Sequence, residues 1–311
     1  MKWGTKFIAG LALLSFLAGT AGVGYTLMNS RTVGSMEEVN WEKTFDSADV
    51  QRVSVTTDIS DITVTPSPDN QFRVRYYGRI SSSDKKELQT EGELSGNALS
   101  VSVRTQKKFQ IGIDINQLLT LLASGTREAA RLEVAVPAKL YDSVSFRTNT
   151  GRLTAEGLQA KSLSLETDTG AIALKNADAG QLSAESSTGS LTLSDIRGGG
   201  VTAATDTGSI RLTQIEGALK VESSTGSIEV TVPQLLQPVQ AETDTGSIRI
   251  QAAQSGDVRV DFRTDTGRVS ADVPGLTYAV RDKHELRSTG GSGPLVKAES
   301  STGSITLTTG R

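Results

Sequence analysis

Thr-Asp-Thr-Gly-Ser-Ile at 205–210, Ser-Ser-Thr-Gly-Ser-Ile at 223–228 and Thr-Asp-Thr-Gly-Ser-Ile again at 243–248 decide the fold. Variants of the same six residues start at 148, 167, 186, 264 and 300, which makes eight copies. The glycines at 151, 170, 189, 208, 226, 246 and 267 are 19, 19, 19, 18, 20 and 21 residues apart. A fixed period near 20 is the signature of stacked repeats.

Within one unit, Leu163, Leu165 and Thr167 alternate with Ser164 and Glu166; after the turn, Ile172 and Leu174 alternate with Ala171, Ala173 and Lys175. Alternation of this kind marks a strand with one face inward. Each unit therefore holds two short strands about a Thr-Gly turn. A third inward position recurs at Leu158, Ala177, Ile196 and Ile215 and predicts a third side or corner. Two closures fit: a set of antiparallel hairpins, or the coils of a parallel β-solenoid. The solenoid is favoured, because Ile172, Leu191, Ile210, Ile228 and Ile248 then form one apolar ridge with a spacing of about 4.8 Å.

The second letter of the motif runs Asp168, Ser187, Asp206, Ser224, Asp244, Asp265. Like charges about 4 Å apart repel by about 1 kcal/mol even in water, so alternating Asp with Ser suits a stack. Both residue types can accept a backbone N–H at a turn. The break at Asp244–Asp265 falls on a 21-residue unit, which predicts that these two are out of phase.

The array begins before its clear copies. Val53–Val64 matches the template with the glycine replaced, and Gln71–Tyr77, Ala98–Arg104, Arg131–Val136 and Asp142–Thr148 read as strands. The expected fold class is all-β: a parallel β-solenoid of ~19-residue repeats with an N-terminal transmembrane helix and a short helical insertion. Its parts are an anchor or signal peptide at 1–28, a stalk at 29–49, degenerate repeats at 50–143 with an insertion at 105–130, and regular repeats at 144–311. Leu118, Leu119, Leu121 and Leu122 give the insertion its helical reading over Ile115–Ala130, and Tyr278–Gly293 reads as a loop shielding a sheet edge. Trp41 and Phe45 are placed to dock the stalk onto the first rung.

Phe7–Leu27 is a run of 21 uncharged residues behind Lys2 and Lys6. It is long enough to cross a bilayer. A cleavable signal peptide ending near Gly19-Thr20-Ala21 is the alternative, giving a secreted protein. As a single-pass anchor it leaves the N-terminus cytoplasmic and residues 29–311 extracytoplasmic.

A net charge of −3 provides no basic field for nucleic acid, and the absence of cysteine removes disulfides and thiolate chemistry. The one histidine, His284, lies in the charged stretch Arg-Asp-Lys-His-Glu and receives no role. Asp-Thr-Gly at 168–170, 206–208, 244–246 and 265–267 echoes the aspartic-protease triplet, whose chemistry needs two converging carboxylates. Here the repeat accounts for every copy. The outward column Glu166, Glu185, Glu222 and Glu242 is read as a solvated face, with a cation or cationic peptide as the alternative. Thr169, Thr188, Thr207, Thr225 and Thr245 resemble the threonine ladders of ice-binding solenoids, but the second rank such a face needs is partial, since Thr167 and Thr205 alternate with Ser186 and Ser223. No catalytic, metal or cofactor residue is assigned.

The Thr-Asp-Thr-Gly-Ser-Ile and Ser-Ser-Thr-Gly-Ser-Ile repeats behind one apolar segment resemble the bacterial "putative adhesin" β-strand-repeat family, a domain of unknown function that includes LiaG-like envelope proteins. The resemblance covers Val53 to Arg311. It implies a membrane-tethered, extracytoplasmic, non-enzymatic surface or scaffold module of the cell envelope. A cell-wall polymer or an envelope protein is the implied partner. The alternatives are an accessory of an envelope-stress response contacting a membrane partner and, more remotely, a polysaccharide-acting β-helix enzyme.

Overall fold

The computed structural model describes residues 36–105, 130–254 and 256–310. The chain is all-β over them apart from one short helix. The strands in order are β1 (Met36–Asp46), β2 (Arg52–Ile59), β3 (Asp61–Pro66), β4 (Gln71–Ser81), β5 (Leu88–Ser95), β6 (Ala98–Thr105), β7 (Arg131–Val136), β8 (Tyr141–Thr150) and β9 (Leu153–Glu156). The regular part adds β10 (Gln159–Thr169), β11 (Ile172–Thr188), β12 (Leu191–Thr207), β13 (Ile210–Ile215), β14 (Ala218–Thr225), β15 (Ile228–Gln234), β16 (Val239–Thr245) and β17 (Ile248–Gln254). The last part holds β18 (Arg259–Thr266), β19 (Val269–Asp272), β20 (Tyr278–Arg281), β21 (Glu285–Ser288), β22 (Leu295–Thr302) and β23 (Ile305–Thr309). Helix α1 (Ser82–Glu87) is capped by the Ser81 hydroxyl, which accepts from the Asp84 N–H at 3.1 Å.

The strands stack as rungs; in the regular repeats each rung has one stretch before the glycine corner and one after it, with β11 and β12 each running from one corner to the next, and Ser60 takes the corner of the β2/β3 rung. Strands that precede the corner pair in parallel with their counterparts one unit on, as in Leu163↔Leu182↔Val201↔Leu219↔Val239. Those that follow it do the same, as in Leu153↔Ile172↔Leu191↔Ile210↔Ile228↔Ile248. The expected apolar ridge is therefore present, and each of its members is buried. Leu158, Ala177, Ile196 and Ile215 are buried as the third inward position, next to left-handed corner residues Asn176, Asp195 and Gln214.

At the glycine corner, backbones meet directly. Gly208 has φ 152°, and a Cβ built on it would penetrate the carbonyl oxygen of Gly189 in the preceding rung. The Gly208 N–H in turn donates to the Thr225 carbonyl of the following rung at 2.9 Å. Behind the corner runs a buried hydroxyl ladder. Thr167, Ser186, Thr205, Ser223 and Thr243 each donate to the corner glycine carbonyl of the preceding rung, at 3.0–3.1 Å. This is why the first motif position is always Ser or Thr: a buried hydroxyl needs an acceptor, and the stack supplies one. Thr57 Oγ1, at the first end of the column, is buried without a partner among the described residues.

Rung order in space departs from chain order at both ends. The β2/β3 rung lies between β6/β7 and β8/β9. The last rung, β22/β23, lies between β16/β17 and β18/β19. Asp244 and Asp265 are therefore not neighbours out of phase, as the sequence suggested. Both are in phase, and Ser301 stands between them.

Antiparallel strands close the ends, a departure from an all-parallel coil. β1 pairs with β4, β4 with β7 and β5 with β6 at one end; β21 pairs with β18 and β20 at the other. The Tyr278–Gly293 loop thus contains a hairpin, which covers the β18 edge and buries Leu286. The segment read as a stalk is, from Met36 to Asp46, a strand paired along its whole length. Phe45 is buried and Trp41 packs against the core, where Gly92 leaves room for the Phe45 ring. The Phe7–Leu27 span and residues 106–129 of the helical insertion lie outside the described residues. Among the described residues no helix is long and apolar enough to cross a membrane.

Gly208→Val is expected to destabilise by more than about 3 kcal/mol, since it combines a forbidden φ with a backbone overlap. Ser209→Val on the exposed neighbour should stay within about 0.5 kcal/mol. Urea unfolding of the two variants checks this. Thr205→Ser keeps the ladder hydroxyl and should be near neutral, whereas Thr205→Val should lose roughly 1–2 kcal/mol in the same assay.

Candidate functional site

A long, regular face of the surface is the outward side of the strands that precede the glycine corner. Two columns of side chains run along it, two residues apart on each strand. The first reads, in spatial order, Arg147, Glu166, Glu185, Ala204, Glu222, Glu242, Glu299, Arg263. The second reads Asp58, Asn149, Asp168, Ser187, Asp206, Ser224, Asp244, Ser301, Asp265. Acid and neutral residues alternate there without a break over nine rungs. Within this second column neighbouring carboxylates are two rungs apart, about 9.6 Å, which reduces their repulsion, whereas in the first column Glu166–Glu185 and Glu222–Glu242–Glu299 stand in consecutive rungs.

Between the columns lies a groove of about 360 Å³, lined by Glu166, Asp168, Glu185, Asp206, Glu222, Glu242 and Asp244. It is hollow because Ser187, Ser224 and Ala204 are short where their neighbours are long. A second hollow of about 320 Å³ continues it past Glu299, Ser301 and Asp265 to Arg263. Arg147 pairs with Glu166 and, at 3.4 Å, with Asp168. Lys220 and Lys297 pair along their own strands with Glu222 at 2.8 Å and Glu299 at 3.0 Å, and those carboxylates push both ammonium groups above the ordinary lysine range. Asp206, Glu242 and Asp244 have no cation within 4.0 Å among the described residues. The groove is thus a strip of negative charge with an arginine at each end of the glutamate column.

The Asp-Thr-Gly copies lie in this strip as parallel rungs. Asp168 and Asp206 are separated by Ser187, which is not the geometry of two carboxylates sharing a proton. Among the described residues no group of three or more His, Asp or Glu gathers as a metal centre. The threonine rank lengthens to eight exposed residues, Thr150, Thr169, Thr188, Thr207, Thr225, Thr245, Thr302 and Thr266. Its would-be second rank is the buried hydroxyl ladder, so one rank alone faces solvent. His284 is exposed, and its N–H donates to Asp282 in the β20–β21 turn. The glutamate column was legible in the sequence. The groove was not, because it depends on Ala204 and on the serines standing opposite it.

One further hollow, of about 540 Å³, lies on the third side. Its floor is Gly198, Gly199 and Gly217, and the Pro233–Gln237 loop with exposed Leu236 walls it.

A family model described as Toastrack DUF4097 matches residues 50–308. Among solved structures the chain is similar to a "putative adhesin" from Bacteroides fragilis, with 15% identity over 87% of this chain and 97% of that one and a TM-score of 0.47. It is also similar to a "putative adhesin" from Parabacteroides distasonis, with 11% identity over 89% and 98% and a TM-score of 0.43. A "putative lipid binding protein" from the same organism has 12% identity over 86% and 96% and a TM-score of 0.45. No curated protein matches the chain.

Ser187→Asp would set three carboxylates in consecutive rungs. Its melting temperature should fall by several degrees at 10 mM salt and recover most of that loss at 1 M NaCl, where screening acts within about 3 Å. Ser209→Asp, off the column, should show little of either effect.

Proposed function

This chain belongs to the Toastrack DUF4097 family, a domain family of unknown function, and from that premise we propose that it is a non-catalytic binding or scaffold module of the bacterial cell envelope. In this reading Phe7–Leu27 holds it in the membrane and residues 29–311 face outward. The rungs act as a rigid ruler that presents one surface, the acidic strip, to an extended partner carrying positive charge.

The observation that supports this most directly is the pair of carboxylate columns on the strip, in whose middle Asp206, Glu242 and Asp244 have no cation within 4.0 Å among the described residues. Unpaired like charges held on a stiff surface attract an opposite partner over several ångströms and make binding salt-dependent. Contacts of this kind give adhesion through number rather than through any single pocket.

The second reading, a regulatory contact with a membrane partner, rests on a different place. Thr105 and Ala130, which flank the insertion in the chain, belong to the end of the stack that also holds β1, the first described strand. The two readings differ in which change removes binding.

The chain without its first 31 residues is to be tested for co-sedimentation with cell-wall material and for binding to a lysine-rich peptide. The combined variant Glu185→Gln, Glu222→Gln, Glu242→Gln should lose binding by at least fivefold, and raised salt should do the same to the parent. Deleting 106–129 should leave it unchanged. If the deletion removes binding and the glutamine variant keeps it, the partner sits at the insertion and the strip is only a solvated face.

A further inference from the structure

The rung β22/β23 fills a slot between two rungs that precede it in the chain. Val296 pairs with Val239 on one side and Val260 on the other, and Ile305 with Ile248 and Val269. Its hydroxyl ladder is complete: Ser300 donates to the Gly246 carbonyl at 3.0 Å, and Thr264 donates to the Gly303 carbonyl at 2.8 Å. Among the described residues its covalent link to the rest of the stack is Thr-Gly-Gly-Ser-Gly-Pro at 289–294. Thr289, Gly290 and Gly291 are exposed, and a Cβ on Gly290 would meet open space. Gly290 and Gly291 are the hinge of this tether; Thr289 before them donates its N–H to the Thr277 carbonyl, and the Gly293 and Pro294 carbonyls after them accept from Arg259.

If the rung left, the slot would not close well. Pairing β16 directly with β18 would put Asp244 beside Asp265 in adjacent rungs, and the departed Val296, Ala298, Ile305 and Leu307 would stand in water. What fits the slot is a strand, a Ser-Ser-Thr-Gly corner and a second strand, with serine at the neutral step of the acid column. This is the chemistry of the same rung on a second copy.

We propose that the 295–309 rung exchanges between copies of this chain, each copy filling the slot of the other. Every ladder bond of the closed form is remade across the pair, so the balance lies with the hinge and with concentration. Asp257 marks the mouth of the slot. Its carboxylate accepts from the Ser292 N–H, the Ser292 hydroxyl and the Gly293 N–H at 2.8–3.0 Å, and it receives the incoming hinge in either form.

The natural chain has no cysteine, which makes the test direct. Gln240 and Lys297 are register partners across the slot, and both are half-buried on the outward face. Full-length Gln240→Cys and full-length Lys297→Cys, co-expressed with different tags and oxidised, should give a disulfide-linked heterodimer. The yield should be at least tenfold above that of Thr192→Cys with Arg211→Cys, which are partners inside the continuous part of the stack. The Gln240→Cys, Lys297→Cys double variant shows that the pair is oxidisable. Heterodimer no more abundant than the internal control would overturn the exchange.

Discussion

Neighbouring rungs touch backbone to backbone at the glycine corner, and this contact constrains everything else. The carbonyl of one corner sits where a Cβ of the next would be, so no other residue can occupy the position without moving the strand. That closeness lets the corner N–H reach the following rung and lets the Ser or Thr three residues earlier reach the preceding corner carbonyl. Each rung is thereby satisfied only in the presence of two others. Stability is shared among neighbours rather than held by any one unit, as in other quasi-one-dimensional folds.

The rungs were legible in the sequence because each unit repeats the same local demands. A glycine with a forbidden φ, a buried hydroxyl and two apolar pairs recur at fixed phase, and the strands follow. The β1 strand was not legible. Along Met36–Asp46 only Val39 and Phe45 are buried, since the strand lies at an edge and shows most of its side chains to water. β5 (Leu88–Ser95) has the same weakness and is held by pairing with β6 rather than by its own apolar pattern. Edge strands owe their existence to a partner's open hydrogen bonds, which leave little trace in composition.

Rung order was also hidden, for a different reason. Near-identical units offer near-identical edges, so local pattern cannot say which pair meets. One clue was present: Asp244 followed by Asp265 breaks the acid–neutral rhythm in chain order, and a last copy with serine in that place remains at 300–305. Inserting the second between the first two restores the rhythm. The acidic strip emerges from the same arithmetic, since its evenness exists in space and not along the chain. The outward glutamates could be read one by one, but the hollow between the columns comes from what is missing at Ala204, Ser187 and Ser224.

The charge column has a longer wavelength than the backbone. Coils repeat about every 19 residues, yet Asp168 recurs as Asp206, 38 residues on, with the Thr/Ser choice of the buried hydroxyl alternating alongside it. The unit that copying or deletion can handle freely is therefore the doublet. Cutting out a single serine-bearing coil fuses two aspartates, and duplicating a single aspartate-bearing one does the same. Moving coils in twos leaves the aspartate column undisturbed, so that column, unlike the glutamate one beside it, carries a two-coil step for any change of length.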